Sequence, residues 1–435
     1  MSALALIACR RGVPVSGCDA DIGGAADLIG LGVEVRQGHD PSHVAGIRAI
    51  VVTAAVAPSH PELARARELG VPVVPRKEAL AALIAGARSV AVSGTHGKTT
   101  TTVMTTEALA AGGLEPTGIA GGRVSGWGGN ARVAGDELFV VEADEYDQAF
   151  LTLHPTVALV NNVEPDHLEC YGSVEALEAA FVEFAGRAAT AIVNVDDPGA
   201  RRVGIRLRAR RWFGFAAEAD LRITDVVQRA DATEALIARR DAPPVRLRLR
   251  VPGIHNLRNA VAALGAAEAL GASVERAAEA LAEFAGVGRR FERLGEHGGV
   301  AVVDDYAHHP SELAATLSAA RQAYPGRRLV AVFQPHLYSR TEAHGEAMGQ
   351  ALAAADLVFV TEIYPAREKP IPGVTGRGVA EAASAAGADA RFEGSRGEVG
   401  RLVLEALRPG DVVLTLGAGD ITRVGPELVR WLNAG

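Results

Sequence analysis

The sequence predicts an α/β chain of three consecutive domains. Short apolar runs alternate with helix-like stretches through the first ninety residues and again after residue 300, the rhythm of parallel βαβ units. Between these blocks, a strand, a Gly-rich turn and a helix start follow one another at Val90–Thr100. Residues 201–250 are rich in arginine, with apolar Val245, Leu247 and Leu249 at alternate positions, as in antiparallel strands with one solvated face. A chain of 435 residues fits this organisation at roughly 100–200 residues per domain.

In the first block, Met1–Ala8 reads as a helix already under way. Val13–Cys18 is a strand ending at Asp19, Ala49–Ala54 a buried strand, Pro61–Leu69 a helix closed by Gly70, and Val71–Val74 the next strand. Asp19 suits the ribose-binding acid of a dinucleotide-type unit, and equally a turn residue. The second block opens with the strand Ser89–Ser93 and runs to about Arg290. Its further strands are Leu138–Val141, Val157–Val160 and Ala191–Val193, and a helix at Asn256–Leu270 is closed by Gly271. The third block has strands at Val300–Val303, Leu329–Phe333, Leu357–Thr361 and Val412–Leu416. Its helices are Ser311–Ala323 and Glu342–Ala354, and Pro325-Gly326 and Pro409-Gly410 mark turns.

A net charge of −8 argues against a nucleic-acid coat or a polybasic membrane binder. No run approaches the ~20 apolar residues of a membrane span. Met1–Cys9 lacks a basic leader and is followed by Arg10 and Arg11, so a cytoplasmic enzyme is expected rather than a secreted one. The cysteines Cys9, Cys18 and Cys170 form no C-x-x-C pair, which speaks against a thiolate zinc site. The only lysines are Lys77, Lys98 and Lys369.

One of those lysines lies in Gly94-Thr95-His96-Gly97-Lys98-Thr99-Thr100. Backbone N–H groups of such a turn face phosphate oxygens, and the helix start adds positive potential. Lys98 would hold the β- and γ-phosphates, and the Thr99 hydroxyl would ligate Mg²⁺. The first glycine stands two residues closer than in the common G-x-x-x-x-G-K-[ST] loop. After the strand Leu138–Val141 come Glu142, Asp144, Glu145 and Asp147, where a metal-binding acid belongs. Glu142 adjoins the strand end and is the best candidate, although a solvated acidic loop reads the same way. His167, in Asn162-Val-Glu164-Pro-Asp166-His167, is a second candidate ligand, or a plain loop histidine.

In order and spacing these segments resemble the Mur ligases, ATP-dependent amide-forming enzymes of peptidoglycan synthesis. The similarity rests on residues 94–100, 142–145 and 162–167, and on Gly253-Ile-His255-Asn256-Leu-Arg-Asn259-Ala. It extends to the hinge-like Gly288–Glu292 and to Asp304-Asp305-Tyr306-Ala-His308-His309-Pro310. Phe333–Thr341 and Ile363–Gly373 look like the alanine-adding branch of the family. The branch that recycles whole tripeptides is expected to differ at Phe333–Thr341.

That resemblance implies a Rossmann-like N-terminal domain (1–88), a central P-loop ATPase domain (89–290) with extra antiparallel strands, and a Rossmann-like C-terminal domain (291–435). It also implies ligation of L-alanine to UDP-N-acetylmuramate through an acyl phosphate, with ATP and Mg²⁺. Lys98, Glu142, His167 and Arg290 would then be catalytic, and Thr99, Glu142 and His167 the metal ligands. Gly94–Thr100, His255, Asn256 and Asn259 would approach the nucleotide, Asp305 the ribose, and His336 and Arg340 the incoming amino acid. A monomer or dimer is expected, with no nucleic-acid or membrane partner.

The chain departs from the family in two respects. The family's first strand and G-x-G-G-x-G segment do not precede Met1-Ser2, as in a misassigned start or a truncation; a non-catalytic nucleotide-binding protein is the alternative if that is biological. No lysine lies between Lys98 and Lys369, so the carbamylated lysine of several relatives is absent. A guanine-specific switch would need an N-K-x-D loop, and a nicotinamide dehydrogenase would need the Gly loop; neither is present.

Overall fold

The computed structural model describes residues 1–434. Their packing divides them into two compact units. One comprises residues 1–224, 236–247 and 258–281; the other comprises 225–235, 248–257 and the chain from Ala282 onward.

The first unit opens with the helix Ser2–Arg10, whose Leu6 and Ile7 are buried. Strands β1 (Ser16–Asp19) and β2 (Glu34–Gln37) pair in parallel, as do β3 (Ile50–Val52) and β4 (Val73–Pro75). The expected βαβ rhythm is therefore present, as two separate two-stranded ladders. The expected strand from Val13 begins only at Ser16, because Pro14 has no N–H to give to a ladder. The segment expected to be a buried strand at Ala49–Ala54 shortens to β3, and its Val51 is exposed. Helix Pro61–Glu68 starts on His60, whose ring accepts the Glu62 N–H.

Ten strands make the large sheet: β5 (Arg88–Ser93), β6 (Thr117–Val124), β7 (Gly129–Arg132), β8 (Leu138–Glu142), β9 (Val157–Val160), β10 (Thr190–Asn194), β11 (Arg210–Gly214), β12 (Leu221–Gln228), β13 (Thr233–Arg239) and β14 (Ala242–Leu249). Their order is β14-β13-β12-β11-β10-β9-β5-β8-β6-β7. β5 lies between β8 and β9, parallel to both, with Val90 opposite Val140 and Val157. β8 and β9 are near-continuous apolar runs and β5 carries Val90, Ala91 and Val92 at its centre, because both faces of a parallel sheet are covered. The chain crosses β5 between β8 and β9, so the carboxyl ends of these strands form a switch point, where open α/β sheets bind ligands. Arg240 and Asp241 alone join β13 to β14, a connection only antiparallel neighbours permit. Burial alternates along both strands, as the arginine-rich sequence predicts.

The second unit is built on β15 (Glu292–His297), β16 (Val300–Asp305), β17 (Leu329–Phe333), β18 (Leu357–Val360), β19 (Asp389–Phe392) and β20 (Val412–Leu416), in the order β15-β16-β20-β17-β18-β19. Only β15 runs antiparallel to its neighbour. Ala301, Val303, Ala331, Phe333, Leu414 and Leu416 fill one core; Val330, Val332, Val413 and Phe359 belong to another. The helix expected from Glu342 begins four residues earlier, at Tyr338. Leu337 at φ +69° ends the preceding loop, and its carbonyl accepts from Thr341 Oγ1. The earlier start puts Arg340 in the first helical turn, where its Nη1 reaches Nδ1 of His336 in the preceding loop. No helix among the described residues is long and apolar enough to cross a membrane.

Candidate active site

Gly94–Gly97 link the end of β5 to the helix Lys98–Ala111. Gly94 has φ +136°, and a Cβ there would sit 3.0–3.2 Å from Asn161 Cβ and the Asn162 backbone. Gly97 has φ +77°, and a Cβ there would stand 2.8 Å from Asn259 Oδ1. Both positions require glycine: one for close approach to β9's end, the other to turn left-handed into the helix. The loop is held to the segment after β9. Thr95 N donates to Asn162 O (3.2 Å), His96 N to Asn162 Oδ1 (2.7 Å), and Glu164 N to Thr95 Oγ1 (2.9 Å). Thr99 and Thr100 are buried in the first helical turn.

Lys98 Nζ donates to Gly94 O (2.8 Å) and to both oxygens of Glu145 (2.8 Å each). Burial opposes charge on Lys98. Glu145, Asp144 and Glu142 outweigh that cost and hold the amine protonated, above its ordinary range. The sequence favours Glu142 among the four acids as the metal-binding one; the lysine's own partner, which the sequence did not single out, is Glu145. Glu142 instead accepts the Gly121 N–H. Both carboxylates belong to the switch point at the end of β8. Tyr171 O–H donates to Glu145 O, tying the acidic loop to the helix that follows His167. His167 itself sits at φ +55°. Its ring is edge-on to Tyr146 at 5.1 Å, and its Nδ1 lies 3.4 Å from Glu169 Oε1.

The second unit brings together a different set. Asp305, at the end of β16, accepts Phe291 N–H and Ala307 N–H at 2.7 Å each. Burial raises its carboxyl to about 6, with Arg290 pulling the other way. The guanidinium groups of Arg289 and Arg290 both lie over the Tyr306 ring, at 4.9 and 4.7 Å. Arg289 and Phe291 hold left-handed φ values of +59° and +51°, costly for side chains of their size. His336 stacks on Tyr364 (5.7 Å, 12°) and stands edge-on to His308 at 6.0 Å. Burial, His308 and Arg340 push the imidazole down to about 4, and Arg340 Nη1 donates to its Nδ1 at 3.3 Å. His336 and Arg340, both named from the sequence, are therefore adjacent. Glu368, within the segment Ile363–Gly373, anchors Ser339 N at 3.0 Å, a contact the sequence did not single out. His255 packs on Gly253, and Asn256 Nδ2 donates to Pro252 O at 2.7 Å.

A glycine turn with one half-buried lysine, opening a helix at the switch point of a parallel sheet, defines a nucleotide-dependent α/β enzyme. The chain belongs to the Mur ligase family. Its residues 1–88 match the family's catalytic domain, 92–267 its middle domain, and 289–419 its glutamate ligase domain. The three-domain Mur ligase architecture follows. A UDP-N-acetylmuramate–L-alanine ligase of Kineococcus radiotolerans is 47% identical, over 99% of this chain and 94% of that protein. One from Streptomyces coelicolor is 45% identical, over 100% and 95%. The crystal structure of the Thermotoga maritima UDP-N-acetylmuramate–alanine ligase superposes with a TM-score of 0.87 at 28% identity, covering 100% of this chain and 97% of that one.

Proposed function

We propose that this chain is a UDP-N-acetylmuramate–L-alanine ligase of peptidoglycan precursor synthesis, which uses ATP to join L-alanine to UDP-N-acetylmuramate. One observation carries the reading: relatives named for this reaction align along 99–100% of the chain at 43–47% identity. A cytoplasmic setting, action as a monomer or dimer, and the domain limits 1–88, 89–290 and 291–435 are part of the proposal.

The carboxylate of the sugar acid is a poor acyl donor. Phosphoryl transfer from ATP makes it an acyl phosphate; the L-alanine amine attacks the acyl carbon, and phosphate leaves. Such a transfer needs positioning and charge neutralisation above all. Lys98, held protonated, would meet the β- and γ-phosphates, with the loop N–H groups around them. The Thr99 hydroxyl and the Glu142 and Glu145 carboxylates are hard oxygen donors, so the residues fit Mg²⁺, which would supply charge neutralisation on the phosphates. His167 is our candidate second ligand. His255, Asn256 and Asn259 would approach the nucleotide, Asp305 the ribose and Arg290 the phosphates.

Arg340 is the group to pair with the amino-acid carboxylate, since a guanidinium does so bidentately and leaves the amine free. His336, neutral near pH 7 and accepting from Arg340, is a positioning residue for that guanidinium. The test is phosphate release that requires ATP and UDP-N-acetylmuramate and rises with L-alanine. Glycine or L-serine outcompeting L-alanine at equal concentration would overturn the alanine assignment. A muramyl tripeptide's peptide moiety acting as the better acceptor would indicate the recycling branch instead.

A further inference from the structure

We propose that Cys18, His39 and Glu62 form a binding site for a zinc-class divalent cation, separate from the glycine turn and Lys98. The three residues come from different places: Cys18 from β1, His39 from the loop after β2, and Glu62 from the first turn of helix Pro61–Glu68. Their ligand atoms all lie within 4.8 Å of one another. Cys18 Sγ is 3.4 Å from His39 Nδ1 and 3.3 Å from Glu62 Oε2, and His39 Nδ1 is 3.8 Å from the same oxygen. Zinc bonds of about 2.3 Å to sulfur and 2.0–2.1 Å to nitrogen or oxygen give tetrahedral edges of about 3.3–3.6 Å. The three side chains therefore already outline one face of such a tetrahedron. His39 is exposed, so water can complete the set.

The surroundings fit the same role. Glu62 is buried, at 4% exposure, an unusual place for a carboxylate on a helix start. Its Oε1 accepts the Asp40 N–H (3.1 Å) and lies 2.8 Å from His43 Nδ1. These two groups orient the carboxylate, the kind of outer support metal ligands receive, with Cys18 Sγ 3.2 Å from Oε1 and 3.3 Å from Oε2 and His39 on the Oε2 side. His60 Nδ1 is engaged by Glu62 N–H, so that ring caps the helix and is not a ligand. A thiolate, a carboxylate and a neutral imidazole suit zinc or cobalt rather than Mg²⁺, which prefers hard oxygens. On binding, the thiol S–H bond breaks, its proton passes to solvent, and a metal–sulfur bond forms. The ion would clamp the end of β1 to the loop after β2 and to the helix that joins β3 to β4.

Cobalt reports this site directly, because only a thiolate ligand produces a sulfur-to-cobalt charge-transfer band. The chelator-stripped full chain titrated with Co²⁺ should develop that near-ultraviolet band, saturating at one equivalent. Zinc should abolish it and excess Mg²⁺ should leave it. Cys18→Ala should lose the band and His39→Ala should weaken cobalt binding at least tenfold. A Cys9→Ala/Cys170→Ala chain should keep the band, and this variant identifies the thiolate even if Cys18→Ala folds poorly. No band in the wild-type chain, or its loss from the Cys9/Cys170 variant, would overturn the proposal. Phosphate release plays no part in the readout, so failure here leaves the ligase reading untouched.

Discussion

Lys98→Ala is the sharpest perturbation, because it removes a charge the structure uses twice. The Lys98 amine lies 2.8 Å from both oxygens of Glu145, whose side chain is only 2% exposed. Deleting one partner of a buried ion pair leaves the other charge without compensation, at a cost of about 3–5 kcal/mol. Protonation of Glu145 limits that cost. Burial already raises its carboxyl, and loss of Lys98 raises it further. A carboxyl with a raised folded-state pKa contributes stability at low pH that is lost as pH rises through that pKa. The variant's deficit against wild type should therefore be largest above neutrality and shrink on acidification. Lys98→Ala/Glu145→Gln, with no orphan charge, should recover most of the loss. Urea unfolding of the three proteins at pH 5 and pH 8 measures this. Phosphate release should fall at least about 10²–10³-fold in both variants, the scale for losing one preorganised stabiliser of transition-state charge. Retained turnover in Lys98→Ala would refute the loop as the ATP site. An equal deficit at both pH values, with no recovery in the double variant, would refute the electrostatic argument.

Arg340→Lys keeps the charge but loses the fork. It should raise KM for L-alanine about tenfold or more and change kcat less, as initial rates at varied L-alanine would show. Gly94→Ala forces a Cβ to within 3.0–3.2 Å of Asn161 and Asn162 at φ +136°. It should weaken ATP binding in calorimetry by about 1–3 kcal/mol, the scale of such local strain. Asp305 is held at about 6, above its ordinary carboxyl value, so it favours folding below pH 4 and loses that contribution as pH rises through 6. Asp305→Asn should flatten this dependence, gaining at most about 3 kcal/mol relative to wild type at pH 8 over pH 4 in denaturant unfolding.

Strands buried on both faces were readable because nothing but apolar residues could occupy them. β9, β17 and β20 were located this way to within a residue. The polar strands β15 and β19 carry no such signal: Glu292–His297 and Asp389–Phe392 are ladder edges whose pairing is set by their neighbours. The glycine turn and helix start at 94–100 were legible because the glycines and lysine are contiguous. The partner of that lysine was not, since four acids in six residues share one composition and only the turn after β8 decides which of them points at Nζ. The sequence named His336 and Arg340 for the incoming amino acid but gave no sign that their side chains touch. That contact depends on the helix starting at Tyr338, directly after Leu337 in a conformation its side chain resists. The grouping of Cys18 with His39 and Glu62 joins residues up to 44 positions apart, and no local pattern announces it.

Three hydrogen bonds fasten Thr95, His96 and Glu164 across the gap between the glycine turn and the segment after β9. The two stretches can only shift together. A triphosphate that rearranged the turn would drag Asn162 and Glu164 with it, and with them the chain leading to Asp166 and His167. Movement of the turn would thus be passed mechanically to the neighbouring segment.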